Sequence, residues 1–201
     1  MKFHTERTKY LFDNIKNGDF LASYRKPWYF LFSQLVKVVT GNKLGHIAAI
    51  FDVERGDNII RFKLGEQTIS EGKKITEYCI TRSFDKLYMI DSRFRNKNID
   101  TYLLANRHIL SSDQNIELGK YWREKEDYSL AELSFTVNWF YKIFGKKEKI
   151  YDNNCSTAAR QSMIRVGIQD SKFDDKVPNP TEFAKFSFIK SIVKIKAGKN
   201  G

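Results

Sequence analysis

The first half of the chain alternates short apolar runs with turn residues, a pattern typical of β-strands joined by tight connections. Residues 47–53 (IAAIFDV) form an apolar run between polar neighbours, which predicts a buried strand. The turn signal at residues 55–58 (RGDN) predicts that residues 59–64 return beside it as a hairpin. Three further strands are predicted at residues 20–24, 75–82 and 86–90. This half of the chain therefore predicts a β-sheet.

Apolar positions recur at helical spacing in other segments. Tyr10, Leu11 and Ile15 fit one face of a short N-terminal helix that ends at the turn Asn17-Gly18-Asp19. Further helices are predicted at residues 30–39, 99–109, 115–123 and 130–144, and one begins after Asp152-Asn153-Asn154 with Cys155, Ala159, Met163 and Val166 on one stripe. A helical turn at residues 181–184 and a strand at 186–195 follow.

No internal repeat or low-complexity linker divides the sequence. The pattern therefore predicts one α+β domain over residues 1–201, with a basic tail at about residues 196–201. Of the 201 residues, 41% are hydrophobic, which is enough to form a core. No apolar run reaches the roughly 18 residues that a spanning helix needs, so a transmembrane protein is excluded. The first twenty residues lack an apolar signal region and only two cysteines occur, so we expect a cytoplasmic or virus-particle location.

The chain carries 35 Lys and Arg against 24 Asp and Glu, a formal net charge of +11. This excess is compatible with nucleic acid or an anionic surface as a partner, because binding phosphate releases counterions. The basic residues are nevertheless spread along the chain, with clusters only at residues 146–149 and near the C-terminus. A solvated basic face is the simpler explanation.

Cysteine and histidine are the scarce residue types that could carry chemistry. Cys155 follows the N-cap candidate Asn154, where free backbone N–H groups and the helix dipole stabilise a thiolate. The alternative is that Cys155 is a small hydrophobic residue that begins an apolar stripe. Of the three histidines, His4 lies in the terminus, His108 in a polar segment and His46 at the start of a predicted strand. A sheet can hold the imidazole of His46 in place, although a histidine at such a position is often structural.

Other chemical motifs do not occur. The sequence contains no GxxxxGK[ST] or GxGxxG phosphate loop, no CxxC pair and no HExxH motif. We therefore predict neither a cofactor nor a metal site. The second cysteine, Cys79, lies in an alternating strand pattern and is expected in the core.

Two groups of residues, in this order, carry a resemblance to a known family. The first is Gly18-Asp19-Phe20 followed by residues 32–48 (FSQLVKVVTGNKLGHIA), and the second is Asn154-Cys155-Ser156. They resemble the circularly permuted papain-like amidases, the YiiX-like branch of the NlpC-type hydrolase superfamily, in which the histidine precedes the catalytic cysteine. Glu66-Gln67-Thr68 and the turn Pro180-Thr181-Glu182-Phe183 are similar to further elements of that family.

The resemblance implies a permuted papain-like fold, with an antiparallel sheet packed against helices and the cysteine at a helix N-terminus. It implies that Cys155 is the nucleophile, that His46 is its base and that Glu66 orients the imidazole. Gln67 is an alternative to Glu66 in that last role. Residues expected to line the site or to supply an oxyanion donor are Asp19, Tyr24, Asn154, Ser156 and Gln67.

The implied activity is that of a cysteine hydrolase that cleaves an amide bond in a peptide or a cell-wall peptide, without a cofactor. A lipid acyl-ester hydrolase or acyltransferase of the same fold is one alternative. A non-catalytic module associated with nucleic acid or with a particle is another. The expected partners are accordingly a peptide, peptidoglycan or lipid substrate, with an anionic surface or nucleic acid as a further partner of the basic charge.

Overall fold

A computed structural model of the chain describes residues 6–25, 44–68, 71–81, 99–124, 155–170 and 180–195. The helices in these ranges are α1 (Glu6–Asn14), α2 (Ser112–Arg123), α3 (Cys155–Arg165) and the short α4 (Pro180–Phe183). The strands are β1 (Phe20–Arg25), β2 (His46–Arg55), β3 (Ile59–Thr68), β4 (Gly72–Thr81), β5 (Ile99–Asn106) and β6 (Ile189–Ile195). The predicted α+β class is confirmed.

The six strands form one antiparallel sheet in the order β4-β3-β2-β1-β5-β6. Strands β2 and β3 are neighbours in the sheet as well as in the chain, as the predicted hairpin at residues 55–58 requires, and β4 lies on the other side of β3. Strand β2 lies between β1 and β3 and is therefore hydrogen-bonded on both sides. Its first residue, His46, is thus attached to an interior strand of the sheet.

Side chains alternate along β2 between two apolar layers. Ile47, Ala49 and Phe51 pack in a layer with residues of α2, α3 and α4. Ala48 and Ile50 pack in a second layer, to which α1 contributes. Because burying one large apolar side chain contributes about 2 kcal/mol, this alternation opposes any shift of strand register. The core therefore holds the start of β2 in a defined position relative to α3.

The predicted turn after α1 is present and requires a glycine. Gly18 has a φ of +83°, in the left-handed region that favours glycine, and an added Cβ would lie 2.9 Å from Cδ1 of Leu110. The Gly18 N–H donates to the carbonyl of Ile50, and the Ile50 N–H donates to the carbonyl of Asp19. These two bonds attach the turn to β2.

The prediction of a helix at residues 99–109 was wrong, because this segment contains strand β5. Strand β5 pairs with β1 on one side and with β6 on the other. Side chains such as Ile99, Thr101 and Leu103 are buried at alternate positions. Leucine and alanine favour helices, but hydrogen bonding to a strand on each side and burial on both faces outweigh that local preference.

The closing strand is shorter than the predicted 186–195 and begins at Ile189. The preceding Phe186 and Phe188 are stacked with ring centroids 5.2 Å apart, and both contact Phe183 of α4. This aromatic cluster also includes Phe20 of β1. Its packing explains why the chain turns at these residues before it enters the sheet.

The remaining predicted elements in the described ranges are present within a few residues of their expected bounds, including the helix that begins at Cys155. The helices predicted at residues 30–39 and 130–144, the strand at 86–90 and the tail at about 196–201 lie outside the described residues. Within the described ranges, no helix is long and apolar enough to cross a membrane.

Candidate active site

Cys155 is the first residue of α3, and its side chain is buried. The predicted apolar stripe is present, because Ala159, Met163 and Val166 are also buried. The first backbone N–H groups of a helix have no partner within the helix, and they lie at the positive end of its dipole. The Cys155 sulfur thus begins the stripe and also occupies the helix end that stabilises negative charge.

His46 and Glu66 are joined by a hydrogen bond between Nε2 of His46 and Oε2 of Glu66, 2.8 Å long. Their positions follow from strand register. Ala48 of β2 pairs with Glu66 of β3, and His46 lies two residues before Ala48 on the same face of β2. The side chain of Glu66 is only 10% exposed, so water weakens this contact less than it would on the surface.

The imidazole of His46 and the thiol of Cys155 lie close enough for each to shift the pKa of the other through charge and hydrogen bonding. Because Nε2 is held by Glu66, the nitrogen available to the sulfur is Nδ1. The structure therefore brings together Cys155, His46 and Glu66 from α3, β2 and β3. A nucleophile next to a base, with the base oriented by a third group, is the arrangement that activates thiols and hydroxyls in enzymes.

Burial by itself lowers the pKa of His46, but the Cys155 thiolate and the Glu66 carboxylate together raise that pKa to about 9. Burial by itself raises the pKa of Cys155. The charge and hydrogen bond of His46, the backbone N–H of Ile47 and the hydroxyl of Ser156 together bring the pKa of Cys155 below its ordinary value. Since the two pKa values move in opposite directions, the geometry favours a thiolate–imidazolium pair at neutral pH.

Two further groups approach the sulfur. Ser156 is fully buried, and its Oγ lies 3.9 Å from Sγ of Cys155. The backbone N–H of Ile47 also lies close enough to the sulfur to lower the pKa of Cys155, so β2 contributes both a side chain and a main-chain group to the site. Sequence reasoning expected Ser156 as a lining residue but missed Ile47, because a backbone donor leaves no signal in residue type.

Asp19 is buried, but in the described part of the chain it does not contact Cys155, His46 or Glu66. Its carboxylate accepts hydrogen bonds from the backbone N–H groups of Lys16 and Asn106, at 3.0 and 2.8 Å. Burial raises the pKa of Asp19 to about 6, and the two N–H donors partly oppose that rise. Its observed contacts join the α1–β1 turn to β5.

Asn106 connects this turn to the helix that carries Cys155. Its side-chain amide donates to the carbonyl of Gly18 at 3.0 Å and lies 3.5 Å from the sulfur of Met163 in α3. Sequence reasoning missed Asn106 because it assigned this segment to a helix. If the segment is read as a strand, an asparagine among its apolar positions signals a buried amide that needs hydrogen-bond partners.

Tyr24 and Gln67 occupy strands next to the site. Tyr24 follows Ser23, which is the β1 partner of His46, and the hydroxyl of Tyr24 is buried. Gln67 follows Glu66 on β3 and is only 1% exposed. Asn154, the predicted N-cap, lies outside the described residues. The second cysteine, Cys79, is a free thiol on β4 and is partly rather than fully buried.

In the described ranges, no group of three or more His, Cys, Asp or Glu residues is arranged to hold a metal ion. Comparison with known families finds no family model that matches the chain, and comparison with curated proteins finds no match.

Proposed function

We propose that this protein is a cysteine hydrolase of the permuted papain-like type that cleaves an amide bond. The observation that carries the proposal is the chain of contacts from Cys155 to His46 to Glu66. The three residues come from separate elements and meet at the N-terminus of α3. A buried cysteine that serves only for packing needs neither an imidazole on its sulfur nor a carboxylate behind that imidazole.

The order of the residues along the chain supports the permuted type. His46 and Glu66 come from consecutive antiparallel strands, and Cys155 follows them on a later helix. In papain the cysteine precedes the histidine, so the order here is the reverse. The antiparallel sheet packed against α3 supports the same assignment.

The proposed reaction begins when the Cys155 thiolate attacks the carbonyl carbon of the amide. The carbonyl π electrons move to oxygen, and the backbone N–H groups at the start of α3 stabilise the oxyanion. Collapse of this intermediate breaks the C–N bond, and the His46 imidazolium gives its proton to the leaving amine. A water molecule then loses a proton to His46 and attacks the thioester, which releases the acid and regenerates the thiolate.

Labelling with a thiol-directed activity probe, a peptidyl acyloxymethyl ketone that the thiolate alkylates with loss of carboxylate, tests this proposal. We expect the probe to label Cys155 in the wild-type protein and in Cys79→Ala, the matched control thiol. Labelling should be lost in Cys155→Ala and fall at least about a hundredfold in His46→Gln, because general base catalysis contributes on this scale. Labelling at Cys79 alone, or labelling of Cys155 that is independent of His46, would overturn the proposal.

Matched substrates separate the alternatives from an amide hydrolase. The same acyl group presented as a peptide amide and as a lipid ester measures whether the site prefers amides or acyl esters.

A non-catalytic nucleic-acid module remains the rival that the net charge of +11 favours. It predicts that nucleic-acid affinity falls steeply with salt and is unchanged in Cys155→Ala.

A further inference from the structure

The two residues that precede His46 are each held by a different element of the fold. The N–H of Gly45 donates to the carbonyl of Ser23 in β1 at 3.0 Å. The N–H of Leu44 donates to Oγ1 of Thr181 in α4 at 3.3 Å, across 137 positions of the chain. Leu44 is also buried. The entry to β2 is therefore attached to the sheet on one side and to α4 on the other.

The sheet by itself holds His46 less completely than it holds the residues that follow. His46 pairs with Ser23 of β1, whereas the pairing of β2 with β3 begins two residues later, at Ala48. The ends of strands open more readily than their interiors, because fewer contacts must break. A hydrogen bond to the segment just before His46 limits how far its backbone moves.

Helix α4 supports that hydrogen bond firmly because Phe183 fixes the helix in the core. Phe183 is fully buried, and its ring centroid lies 4.8 Å from that of Phe20 in β1 and 5.3 Å from that of Phe186. Helix α4 also packs against α3, and Phe183 shares an apolar layer with Ala158 of that helix. Helix α4 therefore contacts the helix that carries Cys155 and holds the segment that leads to its base.

We infer that Thr181 is a positioning residue of the candidate site: its hydroxyl fixes the backbone before His46 and so sets the imidazole relative to the sulfur of Cys155. This inference rests on the proposed function. Thr181 takes no part in making or breaking bonds and acts through Leu44. A misplacement on the order of 1 Å in an active site costs up to about a hundredfold in rate, so one remote hydrogen bond at the strand entry affects reactivity.

Three variants separate positioning from general stability. Each is made together with Cys79→Ala, so that Cys155 is the remaining thiol of the chain. Thr181→Val removes the hydroxyl and keeps the size and branching of the side chain, whereas Thr181→Ser keeps the hydroxyl. Ile60→Val is the stability control, because Ile60 is fully buried and pairs with the last residue of β2, at the opposite end of the strand from the site.

The measurement is the rate at which iodoacetamide alkylates Cys155 as a function of pH. The thiolate attacks carbon and expels iodide, so the profile reports how strongly the His46 imidazolium stabilises the thiolate. In Thr181→Val we expect the midpoint of the profile to move to higher pH and the rate at pH 7 to fall about threefold to tenfold, the scale of one neutral hydrogen bond. Thr181→Ser should restore the wild-type profile. Ile60→Val should unfold at a lower temperature and keep the wild-type profile.

Amide hydrogen exchange measures the proposed hydrogen bond directly. The Leu44 N–H should exchange slowly in wild type and in Thr181→Ser, and faster in Thr181→Val. The N–H of Ile50, which donates to the carbonyl of Asp19, should stay protected in all three proteins. If the Leu44 N–H of the wild type exchanges as fast as in an unfolded chain, the inference is overturned.

An unchanged pH profile in Thr181→Val would also overturn the role of Thr181, and so would an equal shift in Thr181→Ser or in Ile60→Val. Each of these results leaves the proposed hydrolase intact as long as alkylation of Cys155 depends on His46. If alkylation of Cys155 is the same in His46→Gln as in wild type, both the proposed function and this inference are overturned. If Thr181→Val does not fold, Thr181→Ala is measured by the same criteria.

Discussion

Nε2 of His46 and Oε2 of Glu66 lie 2.8 Å apart although the residues are separated by 20 positions in the chain. The contact exists because the β2–β3 register sets Ala48 opposite Glu66, which brings His46 and Glu66 onto one face. Glu66 fixes which nitrogen of His46 is left for Cys155. This relationship links the geometry of a hairpin to the reactivity of a thiol on a distant helix.

Glu66→Gln should weaken the activation of Cys155. The amide keeps the size of the side chain but removes the negative charge that helps to raise the pKa of His46. With less imidazolium present, the pKa of Cys155 rises. We expect iodoacetamide to alkylate Cys155 about tenfold to a hundredfold more slowly at pH 7, since a hydrogen bond to a charged group contributes about 1.5–3 kcal/mol. The exposed Glu77→Gln serves as control, and equal rates in all three proteins would contradict this role of Glu66.

The thiolate–imidazolium pair should give a bell-shaped pH profile for acylation of Cys155. The acid limb follows ionisation of the thiol, and it lies below the ordinary thiol range because the pKa of Cys155 is lowered. The alkaline limb follows loss of the His46 proton, whose pKa is raised to about 9. The measurement is kcat/KM for an amide substrate from pH 4 to 11. In His46→Gln, alkylation by iodoacetamide should require a higher pH than in wild type; an unchanged alkylation profile would contradict the pairing.

Asp19 should make the free energy of unfolding depend on pH in the mildly acidic range. Its pKa in the folded protein is raised from 3.8 to about 6, so the folded state binds more protons than the unfolded state between these values. The contribution of Asp19 to the free energy of unfolding is therefore larger below pH 4, and up to about 3 kcal/mol of it is lost as the pH rises through 6. Asp19→Asn removes this titration.

Chemical denaturation at pH 4, 5, 6 and 7 checks the Asp19 prediction. The free energy of unfolding of the wild type minus that of Asp19→Asn should decrease as the pH rises. Asp57→Asn, in the exposed hairpin, provides the baseline for a surface carboxylate. A difference that grows with pH would show that the two backbone hydrogen bonds to the Asp19 carboxylate outweigh the effect of its burial.

Gly65→Ala should destabilise the protein because of Trp122. A Cβ at this position would lie 2.3 to 2.7 Å from three ring atoms of Trp122, which is closer than real contacts allow. We expect a loss of about 1–3 kcal/mol in the free energy of unfolding and a change in tryptophan fluorescence, because the indole must move. At Gly119 of α2 the nearest atom to an added Cβ is 3.4 Å away, so Gly119→Ala should be neutral or stabilising. Equal stability of the two variants would contradict this packing.

The elements of the site were predictable from local pattern. The helix that begins at Cys155 followed from its apolar stripe, and the strand that begins at His46 followed from a short run between turns. The helix predicted at residues 99–109 shows where local pattern is insufficient. Its leucine and alanine residues fit either state, and the choice was made by β1 and β6, which are distant in the chain.

The sequence by itself determined the scarce chemistry of this protein: two cysteines, three histidines, and the placement of Cys155 and His46 at the starts of regular elements. Only the tertiary structure decided that Glu66 hydrogen-bonds to His46, that the backbone N–H of Ile47 lowers the pKa of Cys155, and that the Asp19 carboxylate binds the backbone of β5. The physical reason is that these contacts depend on strand register and on how α3 packs across the sheet. Both are set by the burial of many side chains at once, which no local stretch of sequence contains.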